Sequence, residues 1–151
     1  MDVNEDFVDI VACLAAEKAE FLIVGAYALA AHGFPRMTGD IDILVRPTTE
    51  NARRVYRALL AFGAPVAAHG VSERDFEIED NVYQMGLPPR RIDVMTSVSG
   101  VSFDEANADA IEGQLGHVTV RFIGKAAQAR NKRAAGRPKD VADAELLEAD
   151  D

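Results

Sequence analysis

Residues 21–45, FLIVGAYALAAHGFPRMTGDIDILV, decide how this chain folds. They begin with a short apolar run that ends at Gly25, continue into a segment of small residues typical of a helix, and close on a second apolar run. Asp40 and Asp42 interrupt that second run. Because residues i and i+2 of a β-strand point to the same face, the pattern predicts a strand that carries the two carboxylates side by side.

The two neighbouring carboxylates predict a bound cation. At a separation of about 4 Å and an effective dielectric constant of about 20, two such charges repel each other by roughly 4 kcal/mol. An apolar strand that holds Asp40 and Asp42 together therefore needs a compensating positive charge. Ligand sets made only of oxygen suit Mg²⁺ or Mn²⁺. A third acid, Asp93, lies in another apolar segment between Ile92 and Val94 and completes the set if that segment pairs beside the first strand.

The spacing of apolar residues predicts an α+β fold in which helices flank a mixed sheet. Helices are expected at residues 4–18, 26–31, 49–62 with Thr49 as its cap, 103–108, 124–135 and 141–149. Strands are expected at residues 21–24, 39–45, 82–86, 91–96 and 117–122, with a four-residue hairpin loop at 87–90. Residues 63–80 indicate a loop with a short strand or turn. All 151 residues are interpreted as one domain.

Composition narrows the possible location of the protein. Its hydrophobic content of 48% suffices for a core, and no apolar run approaches the roughly 20 residues that span a bilayer. The acidic start, MDVNED, lacks the basic residues of a signal peptide. Cys13 is the sole cysteine, which excludes an internal disulfide. We therefore expect a cytoplasmic protein.

Charge is distributed unevenly along the chain. The formal net charge is −9, yet residues 121–139 contain seven lysine and arginine side chains and no acid. A basic segment on an acidic body can bind phosphates while the body repels nonspecific RNA. The alternative is a basic helix that faces an acidic one.

The order of these motifs resembles the nucleotidyltransferase superfamily, whose fold is shared with DNA polymerase β. Its signature is a turn of two small residues that opens a helix, here Gly25-Ala26, followed by Asp-x-Asp at the next strand. The spelling RMTGDIDI at residues 36–43 most resembles the small bacterial toxin–antitoxin type, including AbiEii-like proteins. Ala26 stands where this superfamily usually has a second glycine or a serine.

Two later segments extend the resemblance over most of residues 21–145. RIDVMT at residues 91–96 is similar to the strand that carries the third carboxylate, and NKRAAGRPKD at 131–140 is similar to a Lys…Asp segment near the C-terminus of such proteins. The resemblance implies an enzyme that transfers a nucleoside monophosphate from an NTP such as ATP to a hydroxyl group and releases pyrophosphate. Two Mg²⁺ or Mn²⁺ ions about 3.5–4 Å apart would support this displacement.

The resemblance also implies roles for individual residues. Catalysis and metal binding are expected at Asp40, Asp42 and Asp93. Nucleotide binding is expected at Gly25, Ala26, Arg36, Thr38, Lys132 and Asp140, with the first two at a helix N-terminus that favours phosphate. For Asp140 a helix cap or an ion pair is an equal alternative, as is a turn hydroxyl for Thr38. Arg90 and Arg91 fit a solvated hairpin loop better than a substrate contact.

Several acceptors agree with this resemblance. A toxin would modify tRNA or another RNA, an antitoxin would modify a partner protein such as a HEPN RNase, and a resistance enzyme would modify an aminoglycoside. The Arg-x-Thr-x-Asp-Ile-Asp spelling favours the toxin, and a large acceptor would require a homodimer or an open cleft. The alternative from another class is a nucleotide-binding antitoxin or interaction protein that has the fold without turnover.

Overall fold

A mixed six-stranded sheet organises the part of the chain that this computed structural model describes, residues 4–36, 39–87 and 90–149. The strands, in chain order, are β1 (Phe21–Val24), β2 (Ile41–Val45), β3 (Val82–Met85), β4 (Ile92–Met95), β5 (Ile111–Leu115) and β6 (Val118–Phe122). Their order across the sheet is β3-β4-β2-β1-β6-β5. The pairs β2–β4 and β1–β6 are parallel and the other pairs are antiparallel. The predicted α+β class is confirmed.

Helices cover this sheet and complete the core. They are α1 (Glu5–Ala16), α2 (Gly25–Ala31), α3 (Thr49–Phe62), α4 (Phe103–Ala108), α5 (Lys125–Ala135) and α6 (Pro138–Ala149), with a short 3₁₀ helix at Glu73–Phe76. α1 packs against α3, and both bury apolar side chains over the sheet. α5 packs against α6, and a smaller apolar cluster of Leu29, Ala129 and Leu147 joins this pair to α2. None of the helices in the described ranges is long and apolar enough to cross a membrane.

Most element boundaries agree with the sequence predictions, and the differences have local causes. The α3 cap is Thr48 rather than Thr49, because the Thr48 hydroxyl accepts the hydrogen bond of the Asn51 amide at 3.2 Å. β2 begins at Ile41, so Asp40 lies just before the strand rather than in it. α6 begins earlier than predicted, at Pro138, which suits the first turn of a helix. The predicted β3–β4 hairpin is confirmed, although residues 88 and 89 of its loop lie outside the described residues.

Strand β5 was not predicted. Its sequence, IEGQL, contains a glycine and polar residues and gives no clear alternation. It forms because it pairs with β6 in an antiparallel hairpin, in which Gly113 lies opposite Val120 and close to the Phe122 ring. A Cβ atom at position 113 would lie 2.9 Å from the Phe122 Cε2 atom, so the ring packs closely only against a glycine. Tertiary packing therefore overrides a weak local signal.

Asn51 connects the far end of the β1–β2 pair to α3. Its side chain is 1% exposed. Its Oδ1 atom accepts a hydrogen bond from the Glu20 amide at 2.7 Å, and its Nδ2 atom donates to the Glu20 and Arg46 carbonyls at 2.9 and 3.0 Å. One buried amide thus satisfies three backbone groups on two segments that flank the strands.

We expect Asn51→Ala to lower the free energy of unfolding by about 1–3 kcal/mol, because it removes the acceptor of the Glu20 amide and one of the two donors to each of the Glu20 and Arg46 carbonyls. Urea unfolding measures this loss. Asn131→Ala is the matched control: the Asn131 amide donates one hydrogen bond to the Ser99 carbonyl near the surface, and its loss should cost less than about 1 kcal/mol. Equal losses in the two variants would contradict a special role for Asn51.

Candidate active site

Three carboxylates converge where β2 and β4 begin. The two strands run parallel with Asp42 directly opposite Asp93, so the predicted pairing of the third acid beside the first two is observed. Asp93 is buried, and Asp40 lies immediately before β2. The Arg91 amide donates a hydrogen bond to Asp40 Oδ1 at 3.1 Å, which holds that carboxylate at the start of β4.

The turn between β1 and α2 borders this acidic group. β1 pairs with β2 so that Val24 lies opposite Asp42, and the chain then enters α2 at Gly25 and Ala26. Gly25 has a φ angle of +67°, which favours glycine. A Cβ atom there would lie 2.2 Å from Asp42 Oδ2. Glycine is therefore required twice over, by the backbone conformation and by the close approach of the carboxylate.

The crowding of negative charge changes the ionisation of Asp42. Its pKa is raised from 3.8 to about 6, first by burial, then by the charge of Asp93 and a hydrogen bond with it, and then by the charge of Asp40. Arg91 acts in the opposite direction. Asp42 therefore ionises only as the pH rises through about 6, and an added positive charge would favour its ionised form.

Arg91 supplies such a charge and corrects the expectation of a solvated loop residue. Its Nε and Nη2 atoms lie 2.9 and 3.2 Å from the two carboxylate oxygens of Asp93. Nη2 also lies 3.4 Å from Asp40 Oδ2. One guanidinium thus bridges two of the three carboxylates, in the bidentate geometry that arginine favours.

The three carboxylates fit a hard divalent cation if the Arg91 side chain first withdraws from them. Among residues 4–36, 39–87 and 90–149, no three His, Cys, Asp or Glu side chains are grouped in an arrangement that holds a metal ion. Arg91 engages Asp40 and Asp93 instead. Carboxylate oxygens are the ligands that Mg²⁺ and Mn²⁺ prefer, and a divalent ion would reverse the crowding that raises the Asp42 pKa. The residues therefore fit these ions once the Arg91 guanidinium releases its partners.

A second charged cluster contains the predicted nucleotide-binding residues of the C-terminal segment. Lys132 Nζ lies 3.7 Å from Asp140 Oδ1 and 3.4 Å from Asp143 Oδ2. Arg36 Nη2 lies 2.9 Å from Asp143 Oδ1, and Arg137 Nε lies 2.6 Å from Asp140 Oδ2. The cluster joins α5, α6 and the segment that precedes β2, and it places Arg36 and Lys132 on one shared acid.

Burial distinguishes the acids of this cluster from surface charges. Asp140 is 0% exposed and Asp143 is 5% exposed. The hydrogen bond from Arg137 holds the pKa of Asp140 below its usual value against the opposing effect of burial. Asp143 was missing from the sequence prediction, although its spacing of three residues from Asp140 places both acids on one face of α6. Thr38, the remaining predicted phosphate contact, lies outside the described residues.

Acidic partners neutralise much of the basic segment at residues 121–139. Lys132 and Arg137 form the pairs described above. In addition, Arg133 Nε donates a hydrogen bond to Glu148 Oε2 at 2.7 Å, and Arg121 Nη1 lies 3.9 Å from Glu112 Oε1. The structure thus contains the alternative arrangement, a basic helix that faces an acidic one. Two of the four cations of α5, Lys132 and Arg133, are thus directed toward α6.

Comparison with known proteins supports the fold. No protein-family model matches the sequence, and no curated protein matches it. A solved structure from Thermotoga maritima, described as a "putative nucleotidyltransferase", is similar to 98% of this chain over 94% of its own, with a TM-score of 0.54 and 12% sequence identity. At this identity the similarity concerns the fold alone. The chain has a nucleotidyltransferase-like fold, and the AbiEii-like subtype stays a prediction.

We expect Asp42→Asn to stabilise the metal-free protein at about pH 8, by up to about 3 kcal/mol. With its pKa raised from 3.8 to about 6, the folded state binds the Asp42 proton more tightly than the unfolded state does. The stability of the wild type therefore falls as the pH rises between these two values and stays lower above them. Asparagine carries no charge and removes this dependence.

Urea unfolding in the presence of a chelator measures the effect. Near pH 4 the folded wild type already carries a protonated Asp42, so wild type and variant should have similar stability there. A variant that is less stable than the wild type at both pH values would show that the carboxylate is a structural requirement.

Proposed function

We propose that this protein transfers a nucleoside monophosphate from an NTP such as ATP to an acceptor hydroxyl group. The acceptor oxygen bonds to the α-phosphorus, the bond from that phosphorus to the bridging oxygen breaks, pyrophosphate leaves, and the hydroxyl proton passes to solvent. The observation that carries the proposal is the convergence of Asp40, Asp42 and Asp93 beside the glycine turn at Gly25. Burial and folding do not call for three acids at this place, whereas divalent-ion sites for phosphoryl transfer are built from carboxylates.

The three carboxylates would hold two Mg²⁺ or Mn²⁺ ions. Bound there, the ions would lower the pKa of the acceptor hydroxyl and neutralise charge on the pyrophosphate. Asp40 and Asp42 would contact both ions, and Asp93 the ion nearer the acceptor. Strand pairing fixes the backbones of Asp42 and Asp93, so ion binding would require the Arg91 guanidinium to withdraw rather than the strands to move.

The triphosphate would lie between the β1–α2 turn and the second charged cluster. Gly25 and Ala26 offer backbone N–H groups in the first turn of α2. The cluster contains three cations and two acids. Asp143 pairs with both Arg36 and Lys132, and Asp140 pairs with Lys132 and with the third cation. Cations that buried acids already hold in place lose little side-chain freedom on binding. Asp140 then orients Lys132, and Thr38 stays a predicted contact.

A hydroxyl group on a partner protein is the acceptor that the charge distribution favours. At least four of the seven basic side chains at residues 121–139 pair with acids, which reduces the support for a tRNA or RNA substrate. We therefore propose a role as a toxin–antitoxin component with a protein partner such as a HEPN RNase, and RNA or an aminoglycoside as the other acceptors. The homodimer and the cytoplasmic location stay predictions.

One observation favours a second candidate function, a nucleotide-binding protein without turnover. The Arg91 guanidinium forms ion pairs with the Asp40 and Asp93 carboxylates, so the charge of these acids is already neutralised in part without a metal ion. If the guanidinium stays in place, the chain would retain the fold and lose the chemistry. The two functions differ in whether a divalent ion displaces Arg91.

Label transfer from NTPs labelled at the α-phosphate tests the proposed reaction. Wild type, Asp42→Asn and the control Asp9→Asn, an exposed acid on α1, are incubated with Mg²⁺ or Mn²⁺, total RNA and cell lysate. We expect label on a protein band with wild type and control and at least a hundredfold less with Asp42→Asn. Label on RNA would establish the RNA acceptor instead. Equal label with all three proteins would contradict the site.

We expect Arg91→Gln to strengthen Mn²⁺ binding several-fold, because the guanidinium and the ion compete for the same carboxylates. Titration of Mn²⁺ alone, followed by electron paramagnetic resonance, measures the free ion without any nucleotide. Arg90→Gln, which alters the exposed neighbouring arginine, is the matched control. Weaker binding in Arg91→Gln than in this control would mean that Arg91 supports the ion rather than competing with it.

A further inference from the structure

Gln128 is a fully buried polar side chain outside the predicted site. It lies on α5 with 0% exposure, and its Nε2 atom donates a hydrogen bond to the Gly25 carbonyl at 2.9 Å. Because a carbonyl can only accept, the amide nitrogen must be the end that faces Gly25. In the described part of the chain the Gln128 Oε1 atom has no hydrogen-bond partner.

The energetic balance of this side chain indicates a role other than packing. A buried acceptor without a partner costs about 1–3 kcal/mol. The Gly25 carbonyl belongs to the first turn of α2, where the backbone of that helix already supplies a donor. A methionine would fill the same volume without the unpaired oxygen. The amide therefore provides something that stability alone does not need.

The Gly25 backbone transmits the effect of this hydrogen bond to a carboxylate. The position of a Cβ atom at residue 25 is only 2.2 Å from Asp42 Oδ2, so the glycine backbone forms one wall beside the Asp42 carboxylate. A small shift of the turn would therefore change the distance between the Gly25 backbone and the Asp42 carboxylate. Gln128 thus fixes the distance between the turn and the acid.

The face of α5 that carries Gln128 is held in place by ion pairs one turn farther along the helix. Lys132 follows Gln128 by four residues and therefore lies on the same helix face, one turn farther on. Lys132 pairs with Asp143, which also binds Arg36 in the segment that leads to β2. One face of α5 thus contacts the turn after β1 and, through Asp143, the segment before β2.

We propose that Gln128 is a positioning residue that holds the Gly25 turn against Asp42 and so keeps this carboxylate in the orientation that binds the metal ions. The inference rests on the proposed nucleotidyl transfer. Without the donor, the turn moves away and the Asp42 side chain gains orientations that do not bind the ion. Groups that orient metal ligands in this way contribute about 10–100-fold to affinity or activity.

Gln128→Met tests the proposal, because it removes the donor and keeps the volume. We expect the affinity for Mn²⁺ alone, titrated by electron paramagnetic resonance, to fall about tenfold, with a similar fall in kcat. KM for the NTP should change less than about twofold, because Arg36 and Lys132 keep their partners. The melting temperature should stay unchanged or rise. Gln114→Met, on the exposed face of β5, is the matched control.

A second variant separates positioning from packing. Gln128→Leu removes the same donor and fits the cavity differently. Equal losses of Mn²⁺ affinity in both variants, whatever their melting temperatures, support positioning. Losses that follow the melting temperature, or Mn²⁺ affinity and kcat at wild-type values in Gln128→Met, overturn it. If the wild type neither binds Mn²⁺ nor transfers label, the proposed function fails, and this inference fails with it.

Discussion

The repulsion among the carboxylates of Asp42, Asp93 and Asp40 is the constraint on which the rest of the site depends. It arises from the core, because Ile41 and Ile43 of β2 and the facing residues of β4 are buried and fix the strand register. A slip of one residue would turn Ile41, Ile43 and Val45 to the face that carries Asp42, so the register that buries the isoleucines also brings the acids together. Apolar burial thus opposes an electrostatic cost, and the pKa of Asp42 is raised first by burial and then by the charges of Asp93 and Asp40.

Local sequence patterns specify the acidic part of the site well. Asp42 and Asp93 could be placed together because their positions depend on alternation along two strands and on one pairing between them, and Asp40 follows as the residue immediately before β2. Arg91 could not be placed, since its contacts depend on the side-chain conformation at the start of β4. Strand β5 escaped prediction because its stability comes from the β6 partner. Asp143 could have been predicted from the sequence, because it follows Asp140 at helical spacing.

The helix pair α5–α6 shows why net charge alone misdirects a functional interpretation. A stretch of seven cations suggested a surface for phosphates, yet α6 places acids opposite Lys132, Arg133 and Arg137. Ion pairs that involve buried acids add little net stability, because desolvation offsets their attraction. What they provide is fixed geometry. Here the two ion pairs of Asp143 link α5 to Arg36, which lies in the segment before β2.

The site thus combines two supports of different origin. Strand register sets the backbone of the carboxylates, and α5 sets the turn at Gly25 through Gln128. The Arg91 guanidinium offsets part of the charge that these supports create, and it does so in a solvent-accessible position from which it can withdraw. Under the proposed function, an ion that replaced the guanidinium would bind the folded state alone, and its binding would offset the repulsion among the three carboxylates. Folding and ion binding would then be coupled through the same three side chains.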